Sequence, residues 1–249
     1  MQTSQNKNWQ ADVLRFTFFL TESHVEGVDQ WWEGLTQKEP EISMSRPFHK
    51  DEGLFENGKL ILSKQSNKVD WLYVVDPQKM SPIPVLGDFL DELERIRPLI
   101  SKWLKDKCPP TNRFAFGSDL LQPVDSQIRG NQRISEYLRS VNIDLEHSSD
   151  FAYQINRPCA SGVIKGMQIN RLSKWSVIRI QTIFQVINSG QGVVAPNPLS
   201  SEVINACRLE VDINTSADFH YDIPKDSFIP ILDELINLGT SITEHGDEP

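Results

Sequence analysis

The stretch Ala206-Cys207-Arg208-Leu209-Glu210-Val211-Asp212-Ile213-Asn214 alternates without a break. Cys207, Leu209, Val211 and Ile213 fall on one side of an extended chain, and Arg208, Glu210, Asp212 and Asn214 on the other. Strand side chains point alternately to opposite faces, so this period of two predicts a strand with one apolar and one polar face. Antiparallel sheets tolerate that asymmetry, with one face packed and the other open. The expected class is α+β: an antiparallel sheet with helices packed on one face.

Outward from this strand the same grammar recurs. Residues 12–20 put Leu14, Phe16, Phe18 and Leu20 on one face and Arg15 and Thr17 on the other. A helix is expected next. Ser23 and Glu26 have capping-box spacing, and Val25, Val28, Trp31 or Trp32, and Leu35 recur at helical intervals. Asn57-Gly58 marks a hairpin turn before strands at 58–63 and 69–75. Pro84 opens a long helix that Pro98 should kink or divide. The Pro-Pro pair in Lys107-Cys108-Pro109-Pro110-Thr111 then breaks the chain into halves, 1–110 and 111–249, which could share one sheet. The second half repeats the order. A strand at 112–116 precedes a helix at 126–141, strands at 151–157, 164–172 and 175–187, and the 206–214 strand. A final helix at 227–238 is closed by Gly239. The Gly190/Gly192 segment between the last two strands reads as an exposed contact loop, and the polar N-terminus as a frayed arm.

In this order the two halves resemble the duplicated saddle folds, of which the TATA-binding protein is the known example. A duplicated ferredoxin-like pair is the neighbouring alternative. Fold alone carries no function.

Charge narrows the classes of function. The net charge of −9 lies wholly in residues 210–249, where ten acids face one base, Lys225. Residues 151–201 contain no acid but carry Arg157, Lys165, Arg171, Lys174 and Arg179. An acidic chain of this kind does not coat nucleic acid unspecifically, which requires clustered positive charge. No apolar run reaches the ~20 residues of a membrane span, and no secretory h-region opens the chain. Three dispersed cysteines without a C-x-x-C pair fit free thiols in the cytoplasm, with neither a disulfide framework nor a zinc site.

Three groups of residues are candidates for function. Gln154-Ile155-Asn156-Arg157 and Gln168-Ile169-Asn170-Arg171 repeat on strands expected to pair as a hairpin. Arg157, Arg171 and Arg179 are therefore anion-binding candidates, because guanidiniums grip phosphate or carboxylate bidentately. The alternative is internal pairing with the acidic end. Trp31 and Trp32 are adjacent, so a helix can bury one and present the other. They join Asp233 and Glu234 as protein-contact candidates. Glu210 and Asp212 share a strand face that could hold Mg²⁺, but the stretch lacks a partner lysine and reads better as a salt-bridged strand face. No G-x-S-x-G, phosphate-binding glycine loop or histidine cluster appears. Neither a cofactor, a metal nor a catalytic residue is therefore expected.

The early aromatic strand, Trp71 on a strand before a long helix, the two I-N-R strands and the late Leu209-Glu210-Val211-Asp212-Ile213 strand carry one further likeness. By order, they are similar to a sporadically distributed family of uncharacterised bacterial proteins. That resemblance implies membership of mobile or defence-type gene sets, and with it a protein partner. The expected function is a non-catalytic, protein-binding accessory or immunity component of a bacterial multi-protein system, its partner offering a basic surface to the acidic end. An RNA- or nucleotide-binding protein using strands 151–179, and a metal-dependent nuclease, are the alternatives.

Overall fold

The computed structural model describes residues 8–23, 25–77, 83–183 and 201–247. Its centre is β1 (Gln10–Leu20), paired antiparallel with β7 (Thr111–Val124) along nearly its whole length. The N-terminal strands β2 (Ile42–Met44), β3 (His49–Phe55), β4 (Gly58–Gln65) and β5 (Lys68–Val75) form a meander whose last strand pairs with β1. The two-residue β6 (Gly87–Asp88) adds to the end of β1. Beyond β7 lie β11 (Ser201–Thr215), β10 (Gln168–Ile183), β8 (Ala152–Asn156) and the short β9 (Cys159–Ala160). One antiparallel sheet results, in the order β2-β3-β4-β5-β1-β7-β11-β10-β8.

Four helices pack on this sheet: α1 (Trp31–Thr36), α2 (Phe89–Asp106), α3 (Gln127–Tyr137) and α4 (Phe228–His245). All lie over the same face. Phe18 of β1 meets Trp103 of α2 with ring centroids 5.0 Å apart. Gly130 of α3 lies against Val177 of β10, and Gly239 of α4 against Phe116 and Ile213. The residues turned to the helices, among them Leu14, Phe16, Phe116, Trp175, Leu209 and Ile213, are fully buried. Each such side chain contributes roughly 1.5–3 kcal/mol by leaving water.

Several expectations give way for local reasons. Ser23 and Glu26 do not open a helix; Gly27 takes a left-handed conformation (φ 70°), and only a 3-10 turn at Val28–Gln30 and the short α1 follow. The β3–β4 turn is Glu56-Asn57, because Gly58 is already paired with Phe55. Gly58 is needed for close approach, since a Cβ there would sit 2.2 Å from the Val74 carbonyl oxygen. The long helix begins at Phe89, not at Pro84, with the Asp88 side chain accepting from the Leu90 N–H at 3.1 Å. Pro98 lies within α2 without dividing it. The expected strands at 164–172 and 175–187 are one strand, β10, through Ser173-Lys174, and the strand expected at 112–116 continues as β7 to Val124. Trp9, assigned to a frayed arm, is buried; its indole N–H donates to the Thr243 carbonyl and its ring lies against Tyr137 and Trp175. Residues 10–12 of that arm begin β1; its residues 1–7 and the Gly190/Gly192 loop lie outside the described residues.

Gly239 does not end the last helix, which runs to His245. Its missing side chain instead lets α4 approach the sheet: a Cβ would stand 2.9 Å from the Phe116 ring. Gly239→Leu is accordingly expected to cost about 1–3 kcal/mol through overpacking. Gly117, on the opposite face, would meet nothing closer than 3.4 Å, so Gly117→Val should leave the unfolding midpoint near that of the parent. Urea titration of both variants measures the contrast, and equal effects would show that the two glycines are not distinguished by packing.

Candidate functional site

No described element covers the face of the sheet away from the helices. Register places Leu72, Arg15, Gly117, Asp212, Leu172 and Asn156 in one row across β5, β1, β7, β11, β10 and β8. The row toward one end holds Asp70, Thr17, Ala115 and Asn214; the row toward the other holds Val74, Val13, Asp119 and Glu210. Between them runs a trough of about 660 Å³ lined by these strands. Its floor is shallowest in side chains at Gly117 and Ala115, so the backbone itself is within reach of anything that enters.

Most charges on this face are matched. Lys68 pairs with Asp70 at 2.7 Å, and Thr17 donates to the same carboxylate at 2.6 Å. Lys174 pairs with Glu210 at 2.9 Å and Arg208 with Asp119 at 2.8 Å. Arg113 donates to the Thr215 carbonyl at 3.2 Å and lies 4.7 Å over the Phe19 ring. Asparagines extend the pattern. Asn156 donates to Asn170, Asn170 to Asn214, and Asn214 to Asp212, at 3.0, 3.0 and 2.8 Å. This amide ladder is what the repeated Q-I-N-R strands build on their polar side. Arg15 differs from all of these: it is exposed and makes no hydrogen bond or ion pair among the described residues.

The anion-binding candidates do not converge on this face. Arg157 grips Asp247, just past α4, through Nε–Oδ1 at 2.6 Å and Nη2–Oδ2 at 3.0 Å, and Tyr153 donates to the same carboxylate. The partner is thus in the acidic end. Arg171 lies beside it under the sheet, its Nε buried without a hydrogen-bond partner. Arg179 is exposed far along β10, where it is paired in register with Asn205. Neither of the paired tryptophans is presented at the surface. Trp31 and Trp32 are 2 % and 1 % exposed, because α1 is wedged against α2 and the sheet, with Trp31 on Trp103 and Trp32 stacked on Trp71. Asp233 pairs with Arg97 at 2.8 Å, tying α4 to α2. Glu234 accepts from the Ser161 hydroxyl and the Gly162 N–H, both at 2.6 Å.

Cys108, Cys207 and Glu92 are held in unreactive settings. Burial pushes the Cys108 and Cys207 thiols up to about 12, so neither is a thiolate near neutral pH. Glu92 is wholly buried but spends its oxygens on Tyr73 and Asn57, both at 2.9 Å, and on Arg95. Among the described residues no group of three or more His, Cys, Asp and Glu side chains could hold a metal, and no helix is long and apolar enough to cross a membrane. A scan against protein-family models and searches of curated proteins and of solved structures each return no match for this chain.

Two carboxylates make opposite predictions about pH. Burial pushes Asp247 up, but hydrogen bonds from Arg157 and Tyr153 and the charges of Arg157 and Arg171 outweigh it and hold the carboxyl below its usual range. Its stabilising effect is therefore complete above the ordinary carboxylate pKa and lost as pH falls through the depressed one. Arg157→Ala and Asp247→Asn should lower the melting temperature at pH 7 and converge on the parent in acid. Asp12 is the reverse case: burial and the neighbouring Asp119 charge raise it against the pull of Arg208. Asp12→Asn should raise the melting temperature at pH 7, with the gain shrinking as pH falls and Asp12 takes up its proton. Melting curves across pH decide both.

Proposed function

We propose that this protein works by binding another protein through the open face of its sheet, without catalytic chemistry of its own. It would act as an accessory or immunity component of a bacterial multi-protein, defence-type system in the cytoplasm. One observation carries this reading. Among the described residues, a sheet with four helices on one face leaves the other uncovered at its very centre, with small, apolar and charged side chains along it. Antiparallel sheets often leave such a face to solvent, but a trough of this size at the centre of the molecule also gives a partner's side chains somewhere to seat.

The acidic end supports binding more weakly than its composition implies, because Asp233, Glu234 and Asp247 are all engaged internally. Exposed besides Asp212 and Glu244 is a cluster at the turn before α4, Asp218, Asp222 and Asp226, beside Tyr221. These charges would steer a basic partner surface and act chiefly on association rate. We infer too that the halves are a duplicated, saddle-like unit. The support is that β1 and β7 lie side by side, each flanked on its outer side by the last meander strand of its own half, β5 or β11.

The test is co-purification with the products of neighbouring genes. Gly117→Val, which fills the floor of the trough while the fold is kept, should abolish recovery of a partner that the parent protein retains. An unchanged yield would place the interface elsewhere. Divalent-metal-dependent cleavage of DNA or RNA that vanishes in Asp212→Asn would overturn the non-catalytic reading and revive the nuclease.

A further inference from the structure

We propose that a second copy of this chain covers the uncovered face, the two sheets packing face to face about a twofold axis that runs parallel to the strands over Gly117 of β7. This rests on the reading above that the face is an interface, and it names the protein that occupies it; a further partner would have to displace that copy. The first ground is charge. Lys68 is paired with Asp70, Lys174 with Glu210, and Arg208 with Asp119, and Arg113 is spent on a carbonyl and a ring. Of the charged residues that line the trough, Arg15 and Asp212 alone are exposed. Neither has an ion pair among the described residues; Asp212 accepts only from Asn214, at 2.8 Å. They carry opposite signs and stand on either side of Gly117, each one strand spacing from it, about 4.8 Å.

The second ground is symmetry. Register gives the row Leu72, Arg15, Gly117, Asp212, Leu172 on β5, β1, β7, β11 and β10. A twofold axis over Gly117 exchanges the two ends of that row. Arg15 of one copy then faces Asp212 of the other, and Asp212 of the first faces Arg15 of the second, so a guanidinium meets a carboxylate twice. Leu72 faces Leu172 in the same way, although the two leucines lie far apart within one copy. In the next row Thr17 faces Asn214, and Ala115 joins Gly117 on the axis, where small residues let the sheets approach. An axis across the strands would instead set Arg15 on Arg15 and Asp212 on Asp212, so the charges select its direction. Arg113 and Asp119, the other charged residues of β7 on this face, lie along the axis strand but are spent within each chain.

The third ground is extent and closure. Three strands on each side of β7, namely β4, β5 and β1 and then β11, β10 and β8, overlap their symmetry mates. Six strand spacings by about six residues of strand cover roughly 29 by 20 Å, or about 600 Å² of each copy. The sum over both copies, about 1,200 Å², is where specific interfaces begin. Packed sheets lie about 10 Å apart with their strands some 30° from parallel, a gap that Arg15 and Asp212 can bridge. Such a contact is isologous and closes at two copies. An unrelated acidic segment would satisfy Arg15 and be repelled by Asp212, and a basic one the reverse; a second copy satisfies both.

The experiment is sedimentation velocity on the full chain over a concentration series. The parent should pass from monomer to dimer, with a micromolar dissociation constant suited to an interface at the small end of the range. Arg15→Asp and Asp212→Arg should each weaken the dimer by about a hundredfold or more, because one charge-assisted contact is worth about tenfold and each reversal is felt at both copies of it. Mixed in equal amounts, the two variants should dimerise again, since every contact between them joins an Asp to an Arg. Their melting temperatures should stay near the parent's, because both positions are exposed and outside any ion pair. A parent that stays monomeric throughout the series, a dimer indifferent to either reversal, or a mixture that remains monomeric would each overturn the proposal. If Gly117→Val still abolishes partner recovery in that event, the face is the interface of a different protein and only the self-pairing is wrong. If the dimer behaves as expected and Gly117→Val leaves partner recovery unchanged, the self-pairing stands and the partner reading falls.

Discussion

The pairing of β1 with β7 is the constraint on which the rest depends. These strands are far apart in the chain, and their ladder from Gln10↔Leu121 to Leu20↔Thr111 joins β2 to β5 on one side with β11, β10 and β8 on the other in a single sheet. It sets Phe16 against Phe116 and Phe18 against Phe114 on the helix side, with ring centroids 5.5 and 5.2 Å apart. Because facing residues on paired strands share a side, the same register sets Arg15 against Gly117 on the open side. A slip by one residue would expose the phenylalanines and bury the arginine, so the buried face fixes the geometry of the exposed one.

The helices then divide the molecule into a dry side and a wet side. Glycines at 130 and 239 bring α3 and α4 down onto Val177 and Phe116, and the aromatic cluster of Trp31, Trp71, Trp103 and Phe18 fills the space under α2. Polar groups caught on the dry side are satisfied in compact sets, as when Tyr73 and Asn57 converge on Glu92. The bidentate Arg157–Asp247 pair belongs to the same logic: it ties the chain just past α4 to β8 and β10, where Tyr153 and the Arg171 guanidinium also lie. A buried acid left without that partner would be costly, and for this reason the arginine is better seen as a fastening than as a ligand site.

Part of this was legible in the linear chain. Period-two alternation identified β1 and β11 and told which of their side chains face the core, because the strand repeat is a local property of the backbone. It already put Arg15, Glu210 and Asp212 on the polar side. Reading failed where tertiary packing overrode a local signal. Gly117-Ser118-Asp119 has the composition of a turn, yet β7 runs through it because β1 and β11 supply hydrogen bonds on both sides. Gly239 has the composition of a helix end, yet α4 continues because the glycine is there for close approach to Phe116.

Composition and alternation thus determined the α+β class, the polarity of β1 and β11 and the acidic bias of the C-terminal end. Only the tertiary structure decided which charges are spent and which are free. Whether an arginine is satisfied depends on what the neighbouring strand places opposite it. That is a matter of long-range register, which no local pattern encodes. Arg157 and Arg15 look alike in the sequence, each at an alternating position in a strand. The fold gives the first an aspartate ninety residues away and gives the second a glycine, and that difference makes one a fastening and leaves the other open to a partner.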